Sequence, residues 1–336
     1  MIKIAVIGVG SMGKNHARIY SEMKDVELCA VADIQKEAAE KVAAAYSVHA
    51  YIDHRAMLAA EHPDAVSIAV PTALHEEAAI DAFEAGAHVL VEKPIASTLE
   101  AGQRIIDKAK AKQLMLMVGH VVRFNPAVQA LKQRLQAGEL GRIFQILCRR
   151  VGPFPARIRD VGAVIDLAPH DLDIMRYITG SNPLRLFAEI EQRIHTDHED
   201  LVFALLRFPH NITAALEINW LTPTKVREIL VLGEKGLFKV DDLTQDLYFF
   251  ENAQAEDMLF SDLRTLKGVS EGAMIRYALQ RYEPLKAELQ AFVKALQSDT
   301  PVPTSGEDGL AALHLALSLI ESGHKHKVIE LGDGRE

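Results

Sequence analysis

Two short segments, far apart in the chain, hold side chains suited to moving a proton on and off an oxygen atom. One is Glu92-Lys93-Pro94; the other is Asp166-Leu167-Ala168-Pro169-His170-Asp171-Leu172-Asp173. His170, with an ordinary pKa near ~6.5, is the natural base at neutral pH. Asp166 stands four residues before it, so both can face one cleft, where the carboxylate orients the imidazole and stabilises its charged form. An ammonium such as Lys93 can hold a hydroxyl oxygen and favour the developing alkoxide. Beside a hydride acceptor, such a set could oxidise a secondary alcohol, or protonate a ketone in reverse. Plainer readings stand next to this one. Lys93 could cap a strand end, and His170 could be a hydrogen-bonded core histidine or join Asp166, Asp171 and Asp173 around a metal. A histidine among several carboxylates follows no established zinc pattern, and no metal is expected.

The first 33 residues supply the acceptor that this chemistry requires. An apolar run, Ile2 to Ile7, leads into Gly8-Val9-Gly10-Ser11-Met12-Gly13, and a second, Val26 to Ala32, ends on Asp33. Strand, glycines, helix start and an acid about 20 positions on make the dinucleotide-binding fingerprint in its full context. Gly8 permits the tight turn, Gly10 lets the backbone approach a pyrophosphate, and Gly13 lets helix and strand pack closely. Ser11 and Met12 open the helix, whose free N–H groups and dipole hold phosphate charge. Asp33 can accept from both ribose hydroxyls and would meet a 2′-phosphate with like charge. NAD is therefore expected over NADP, although Lys36 is near enough to soften the preference. Val70-Pro71-Thr72 ends another strand, and His75 after it reads equally as a cofactor contact or as a plain helix residue.

Around these residues the chain alternates strand and helix through its first ~120 positions, as a parallel α/β sheet does. Helices are predicted at Lys36–Tyr46, Leu74–Ala85 and Thr98–Ala111, and strands at Ala65–Val70, His88–Val91 and Leu114–Val118. Lys93 then sits just past a strand, where an open parallel sheet places its ligand crevice. After a helix at Ala127–Gln136 the strands come in succession: Ile143–Arg149, Leu186–His195, Leu201–Phe208, Thr213–Trp220, Val226–Leu232 and Leu237–Val240. Alternating apolar and polar residues, as in Ala214 to Trp220, predict an antiparallel sheet with one covered face. One helix, Pro169–Ile178, interrupts the strands, with Pro169 in its first turn. Two more, near Pro284–Gln297 and Asp308–Ser322, follow them. The expected domains are 1–122 and 123–336.

The net charge of −9 argues against a nucleic-acid or anionic-membrane surface. No apolar run approaches the ~18 residues of a membrane span. The chain opens directly on a strand, so no signal peptide is expected, and Cys29 and Cys148 read as buried free thiols suited to a cytoplasmic protein. Against this acidic background, Arg149, Arg150, Arg157 and Arg159 fall within 11 residues. Arginine is the side chain best suited to forked contact with phosphate or carboxylate. The alternative is a solvated strand edge guarded by charge.

On Gly8–Gly13 with Asp33, Val70-Pro71-Thr72 with His75, Glu92-Lys93-Pro94, and Asp166 with His170, the sequence resembles the glucose–fructose oxidoreductase / inositol dehydrogenase / rhizopine-catabolism family over essentially its whole length. The resemblance implies an N-terminal Rossmann domain, a doubly wound parallel sheet. After it comes an α+β domain with an open, mainly antiparallel sheet that supports homodimer or homotetramer contacts. It implies that Lys93 and His170 flank the nicotinamide, that Asp166 completes a catalytic triad, and that the Lys93–Pro94 bond is often cis. Pro71, Thr72, His75, Glu92 and Lys93 join the glycines and Asp33 as cofactor contacts. Arg123-Phe124-Asn125-Pro126 is similar to a family segment near cofactor and substrate. With Gly152-Pro153-Phe154-Pro155 and Asp160-Val161-Gly162, the pattern is closest to the nucleotide-sugar 3-dehydrogenase branch, which oxidises C3 of UDP-linked N-acetylhexosamines or their uronates. Arg123, Asn125, Arg149, Arg150, Arg157 and His170 are the expected substrate contacts. Two other classes stand beside this: a dehydrogenase of a free sugar, inositol or small polyol, and a non-catalytic nucleotide-sensing regulator. Retention of Lys93, Asp166 and His170 speaks against the regulator, as does the lack of a DNA-binding helix pair.

Overall fold

The computed structural model describes residues 1–155, 161–194, 197–253 and 270–332. The chain forms two compact units, Met1–Val121 with Glu283–Leu315 and Val122–Tyr282 with Ala316–Glu336.

In the first unit the elements are β1 (Ile2–Ile7), α1 (Gly13–Glu22), β2 (Val26–Ala32), α2 (Lys36–Tyr46), β3 (His49–Tyr51), α3 (His54–Glu61), β4 (Ala65–Ile68), α4 (His75–Glu84), β5 (His88–Glu92), α5 (Leu99–Lys112) and β6 (Leu116–Gly119). All six strands run parallel, in the order β3-β2-β1-β4-β5-β6. Strand order reverses between β1 and β4, which opens a crevice at the carboxyl ends of these strands. Every residue of β4 and β6 is buried, so their short apolar runs suit a sheet covered on both faces. β3 and α3 go beyond the elements predicted from sequence. β3 is three residues long, and α3 announces itself only through Asp53, whose carboxylate caps Arg55 and Ala56.

A single cut at 122/123 does not describe these units, because Glu283–Leu315 returns to the first. The reason lies at β6, an edge strand with backbone groups to satisfy. Val118 N donates to the Thr304 carbonyl at 3.0 Å, and Thr304 Oγ1 donates to the Val118 carbonyl at 2.6 Å.

The second unit carries α6 (Pro126–Gln136), β7 (Ile143–Pro153), α7 (Ala163–Thr179), β8 (Arg185–Glu191), β9 (Leu201–Arg207), β10 (Thr213–Asn219), β11 (Leu221–Gly233), β12 (Gly236–Asp241), β13 (Asp246–Ala253) and β14 (Ser270–Arg276). Helices α8 (Pro284–Ser298) and α9 (Gly306–Lys325) follow, then β15 (Ile329–Glu330). The nine strands lie in the order β14-β13-β12-β11-β7-β10-β9-β8-β15. All neighbours are antiparallel except β7 and β10. Along β9 burial alternates, leaving Phe203 and Leu205 51% and 57% exposed on the uncovered face. Among the described residues no helix is long and apolar enough to cross a membrane. Cys29 and Cys148 are buried and free.

Helix α7 departs from expectation at its start. It begins at Ala163, so Pro169 lies inside it rather than in its first turn, where the ring withholds the N–H that would reach the Ile165 carbonyl. Glu199 makes the earlier start possible by capping the helix from another segment. Ala163 N donates to the Glu199 carbonyl at 2.9 Å and Val164 N to Glu199 Oε1 at 3.0 Å. Gly162 admits this carboxylate, since a Cβ there would lie 2.1 Å from Glu199 Oε1. Asp166 and His170 are thereby one turn apart on a continuous helix.

Candidate active site

The three fingerprint glycines separate by physical cause. Gly8 adopts φ +85°, and a Cβ on it would lie 2.8 Å from the Ala69 backbone; one on Gly13 would lie 1.8 Å from the Gly8 carbonyl oxygen. Chain packing accounts for both. Gly10 is exposed, and a Cβ on it would meet nothing within 4 Å, so the protein itself leaves that space open. Beside it α1 starts at Gly13, preceded by Met12, without a side-chain cap or an acidic residue in its first turn. Uncapped N–H groups at the positive end of a helix are the donors a phosphate needs.

Asp33 ends β2 half-buried. One carboxylate oxygen accepts from Val9 N and the other from Gln35 N, each at 2.9 Å. Each oxygen keeps a lone pair for a hydroxyl. A cavity of about 470 Å³ adjoins it, lined by Gly8, Gly10, Asp33, Ile34, Ile52 and Pro71 among others. Ile34 and Ile52 are 83% and 62% exposed, an apolar rim for a flat base beside an acid for its ribose. Donor set, open space and rim fit an NAD molecule.

Other expected cofactor contacts have different surroundings. His75 is buried, with Nδ1 2.9 Å from the Pro94 carbonyl and Nε2 3.0 Å from the Val70 carbonyl. It lies between the chain after β4 and the chain following Lys93. Burial holds its pKa below the usual imidazole range. Glu92 is also buried, and its Oε1 meets Nε2 of the fully buried His16 at 3.0 Å. Burial resists its ionisation, but the bond and charge of His16, with Lys93, hold its carboxyl below the usual range. Glu92 thus anchors the strand end through His16. Sequence reasoning passed over His16; the only signal was its place on the inward stripe of α1 with Gly13, Ala17 and Tyr20. Pro71 lines the cavity, Thr72 opens a short 3-10 turn before α4, and Lys93 stands half-buried past β5 with a cis bond to Pro94.

In the second unit, α7 carries Asp166 and His170, both half-buried, and the two aspartates after His170 clamp the helix. Arg150 on β7 makes a forked pair with Asp171 (2.6 and 3.0 Å), and Arg123 makes another with Asp173 (2.7 and 2.5 Å). All four side chains are buried. Asp242, just after β12, approaches Arg150 Nη1 at 3.7 Å; burial pushes its carboxyl pKa up while Arg150 opposes. Asn125 caps α6 through Ala127 N and donates to the Asp242 carbonyl and carboxylate at 2.9 and 2.6 Å.

This geometry breaks up the expected arginine cluster. Successive strand residues point to opposite faces, so Arg150 faces α7 while Arg149 lies on the other face, paired with Glu217 at 2.8 Å. Arg123 and Arg150 are engaged by buried carboxylates. Arg157, with Arg159, lies outside the described residues. Among the described residues no group of three or more His, Cys, Asp or Glu side chains could hold a metal ion.

Known proteins supply the context for this arrangement. Residues 2–120 match the model of an oxidoreductase family with an NAD-binding Rossmann fold, and residues 128–239 match the GFO/IDH/MocA C-terminal domain. UDP-N-acetylglucosamine 3-dehydrogenase of Acidithiobacillus ferrooxidans is 30% identical over 318 residues, covering 95% of this chain and 96% of that protein. Its solved structure aligns with a TM-score of 0.83 at 29% identity, over 96% of this chain and 97% of that one. Myo-inositol 2-dehydrogenase of Thermotoga maritima is 27% identical over 342 residues, 98% of each chain.

Proposed function

This chain belongs to the GFO/IDH/MocA oxidoreductase family, NAD(P)-dependent dehydrogenases acting on CH–OH groups, and we propose that it oxidises C3 of a nucleotide-linked sugar to the 3-keto sugar. UDP-N-acetylglucosamine and its uronate are the first candidates. The observation that carries this reading is the similarity to UDP-N-acetylglucosamine 3-dehydrogenase, 30% identical over nearly the full length of both chains, on a chain that keeps Lys93, Asp166 and His170.

NAD, when bound, would supply the hydride acceptor. His170 withdraws the hydroxyl proton, and Asp166, one turn earlier on α7, orients the imidazole and steadies its positive charge. Lys93 donates to the substrate oxygen and favours its alkoxide character. The ion pairs of Asp171 and Asp173 fix the rotation of α7 and hence the presentation of His170. Asp33 favours NAD, because a 2′-phosphate would meet its carboxylate, while the neighbouring Lys36 is paired with Glu40 at 3.6 Å. Competitive titration with both cofactors checks this; tighter binding of NADP would contradict it. Exposed Phe203 and Leu205 suit a sheet face covered by a second copy, which light scattering after gel filtration would detect as a dimer or tetramer.

A second reading, oxidation of a free sugar or inositol, is favoured by one observation. Arg123 and Arg150 already hold carboxylate partners, so they do not form an open anion site. Purified enzyme with NAD, offered UDP-sugars, inositols and aldoses and followed at the absorbance of reduced nicotinamide, separates the two. Reduction on inositol or glucose with none on UDP-sugars would replace the nucleotide-sugar reading.

A further inference from the structure

One guanidinium on the α7-facing side of the second sheet differs from its neighbours. Arg227 on β11 pairs in register with Arg150 on β7, so the two side chains leave the same face. Arg150 is buried and fully matched by Asp171 and Asp242. Arg227 is half-buried, and its described bonds all come from one nitrogen: Nη1 donates to the Val151 carbonyl at 2.8 Å and the Val226 carbonyl at 2.9 Å. Both acceptors lie at the place where β11 shifts register, between Leu221 and Val226, and Val226 and Val151 are register partners there. Nε and Nη2, the paired edge that grips carboxylates and phosphates side-on, have no acceptor among the described residues. Asp171, Asp242 and Asp166 all act on Arg227 electrostatically, while Arg150 is the guanidinium that meets Asp171 directly.

We propose that Arg227 is the anion clamp of the substrate site, with Nε and Nη2 donating a forked pair of hydrogen bonds to a carboxylate or phosphate of the sugar substrate. The inference rests on the nucleotide-sugar reading above and deepens it, giving the substrate charge a partner beside Arg123, Arg149 and Arg150, each of which is already paired with a carboxylate. Two properties suit Arg227 to the task. Its head is held in place through Nη1, so little freedom is lost when a ligand arrives. Burial, with Arg150 adding repulsion, pushes its pKa down to about 10; it stays charged at neutral pH, and an incoming anion relieves the strain on that charge. A purely structural role would require only a donor to two carbonyls, which a lysine supplies without the paired edge.

The test is calorimetric titration of the NADH-loaded protein and its Arg227→Lys and Arg227→Gln variants. The probes are UDP-N-acetylglucosamine, UDP-N-acetylglucosaminuronate and free glucuronate. Both variants should bind the recognised anion about tenfold or more weakly, a loss of about 1.4 kcal/mol, while NADH affinity, the control for folding, stays at the wild-type value. Equal losses on both UDP-sugars assign the phosphate; a loss confined to the uronates assigns the carboxylate. If Arg227→Gln loses NADH binding through misfolding, Arg227→Lys decides. Wild-type affinity in Arg227→Lys for every anion that the wild type binds would overturn the clamp alone and leave the nucleotide-sugar reading standing. A wild type that oxidises neutral polyols and binds none of the three probes would overturn both.

Discussion

The glycine turn of the first unit and the α7 face of the second were marked by sequence in the same way, through residue types that suit a ligand, and the structure treats them in opposite ways. Around the turn, the marked residues remain available: Gly10 has open space beside it, and Asp33 fronts a cavity. Around α7, the marked charges are largely engaged by each other, Arg150 with Asp171 and Arg123 with Asp173. A glycine is informative because it removes atoms, and few structural reasons call for that. A charge is ambiguous, because binding and packing use the same guanidinium.

The largest effect should come from the residues proposed to act on the substrate, Lys93 after β5 and His170 on α7. Replacing His170 or Lys93 by alanine should lower turnover by a factor on the order of 10² or more with NAD affinity largely retained. Asp166→Asn should be milder, since it alters orientation and charge of the base without removing it. Wild-type turnover in both alanine variants would take these residues out of the mechanism.

Next in size is the contrast between two adjacent arginines. Arg150→Met leaves Asp171 buried without its partner, which should cost about 3–5 kcal/mol of stability. Arg149→Ala, on the opposite face and half exposed beside Glu217, should cost about 1 kcal/mol or less. Denaturant melts of the two variants measure the difference; equal losses would mean that the α7 clamp contributes nothing special.

How much of this was legible follows the same line. The parallel sheet, the fingerprint and the succession of strands from β7 to β12 show in apolar runs and their spacing, since burial on one or two faces writes itself into local sequence; the order of the second sheet, its parallel β7–β10 pair and the strands β13 to β15 do not. The return of Glu283–Leu315 to β6 does not, because it depends on which edge lacks a partner. Nor does the start of α7, set by Glu199 from a distant segment. Lys93, Asp166 and His170 could be picked by chemistry and resemblance. The facing of Arg149 away from Arg150 is decided by strand alternation, which the paired arginines do not advertise, and nothing in the residues around Arg227 sets it apart from other strand arginines.

Within the glycine turn, Gly10 and Gly13 offer a smaller, sharper test. Gly13→Ala drives a Cβ into the Gly8 carbonyl and should prevent native folding of the loop. Gly10→Ala meets no protein atom and should leave the melting temperature within a degree or two of wild type. It should nonetheless weaken NAD about tenfold by filling space that the pyrophosphate uses. Unchanged NAD affinity in Gly10→Ala would show that the open space beside Gly10 serves something other than the cofactor.

The smallest expected effect concerns His75, which lies between the chain segments that follow β4 and β5. Its folded-state pKa lies below the unfolded value because burial disfavours the charged ring. As pH falls through about 6.5, the unfolded chain therefore takes up a proton before the folded one does. Stability from this group is fully present above that pH and declines on acidification. His75→Gln keeps a donor for one of the two carbonyls but does not titrate. It should be less stable than wild type at pH 8, by less than Arg150→Met, and should lose stability less steeply between pH 7 and 5. His88, whose pKa burial also lowers, titrates in both proteins and drops out of the difference. Parallel stability curves for the two proteins across that range would mean that His75 does not couple proton uptake to the fold.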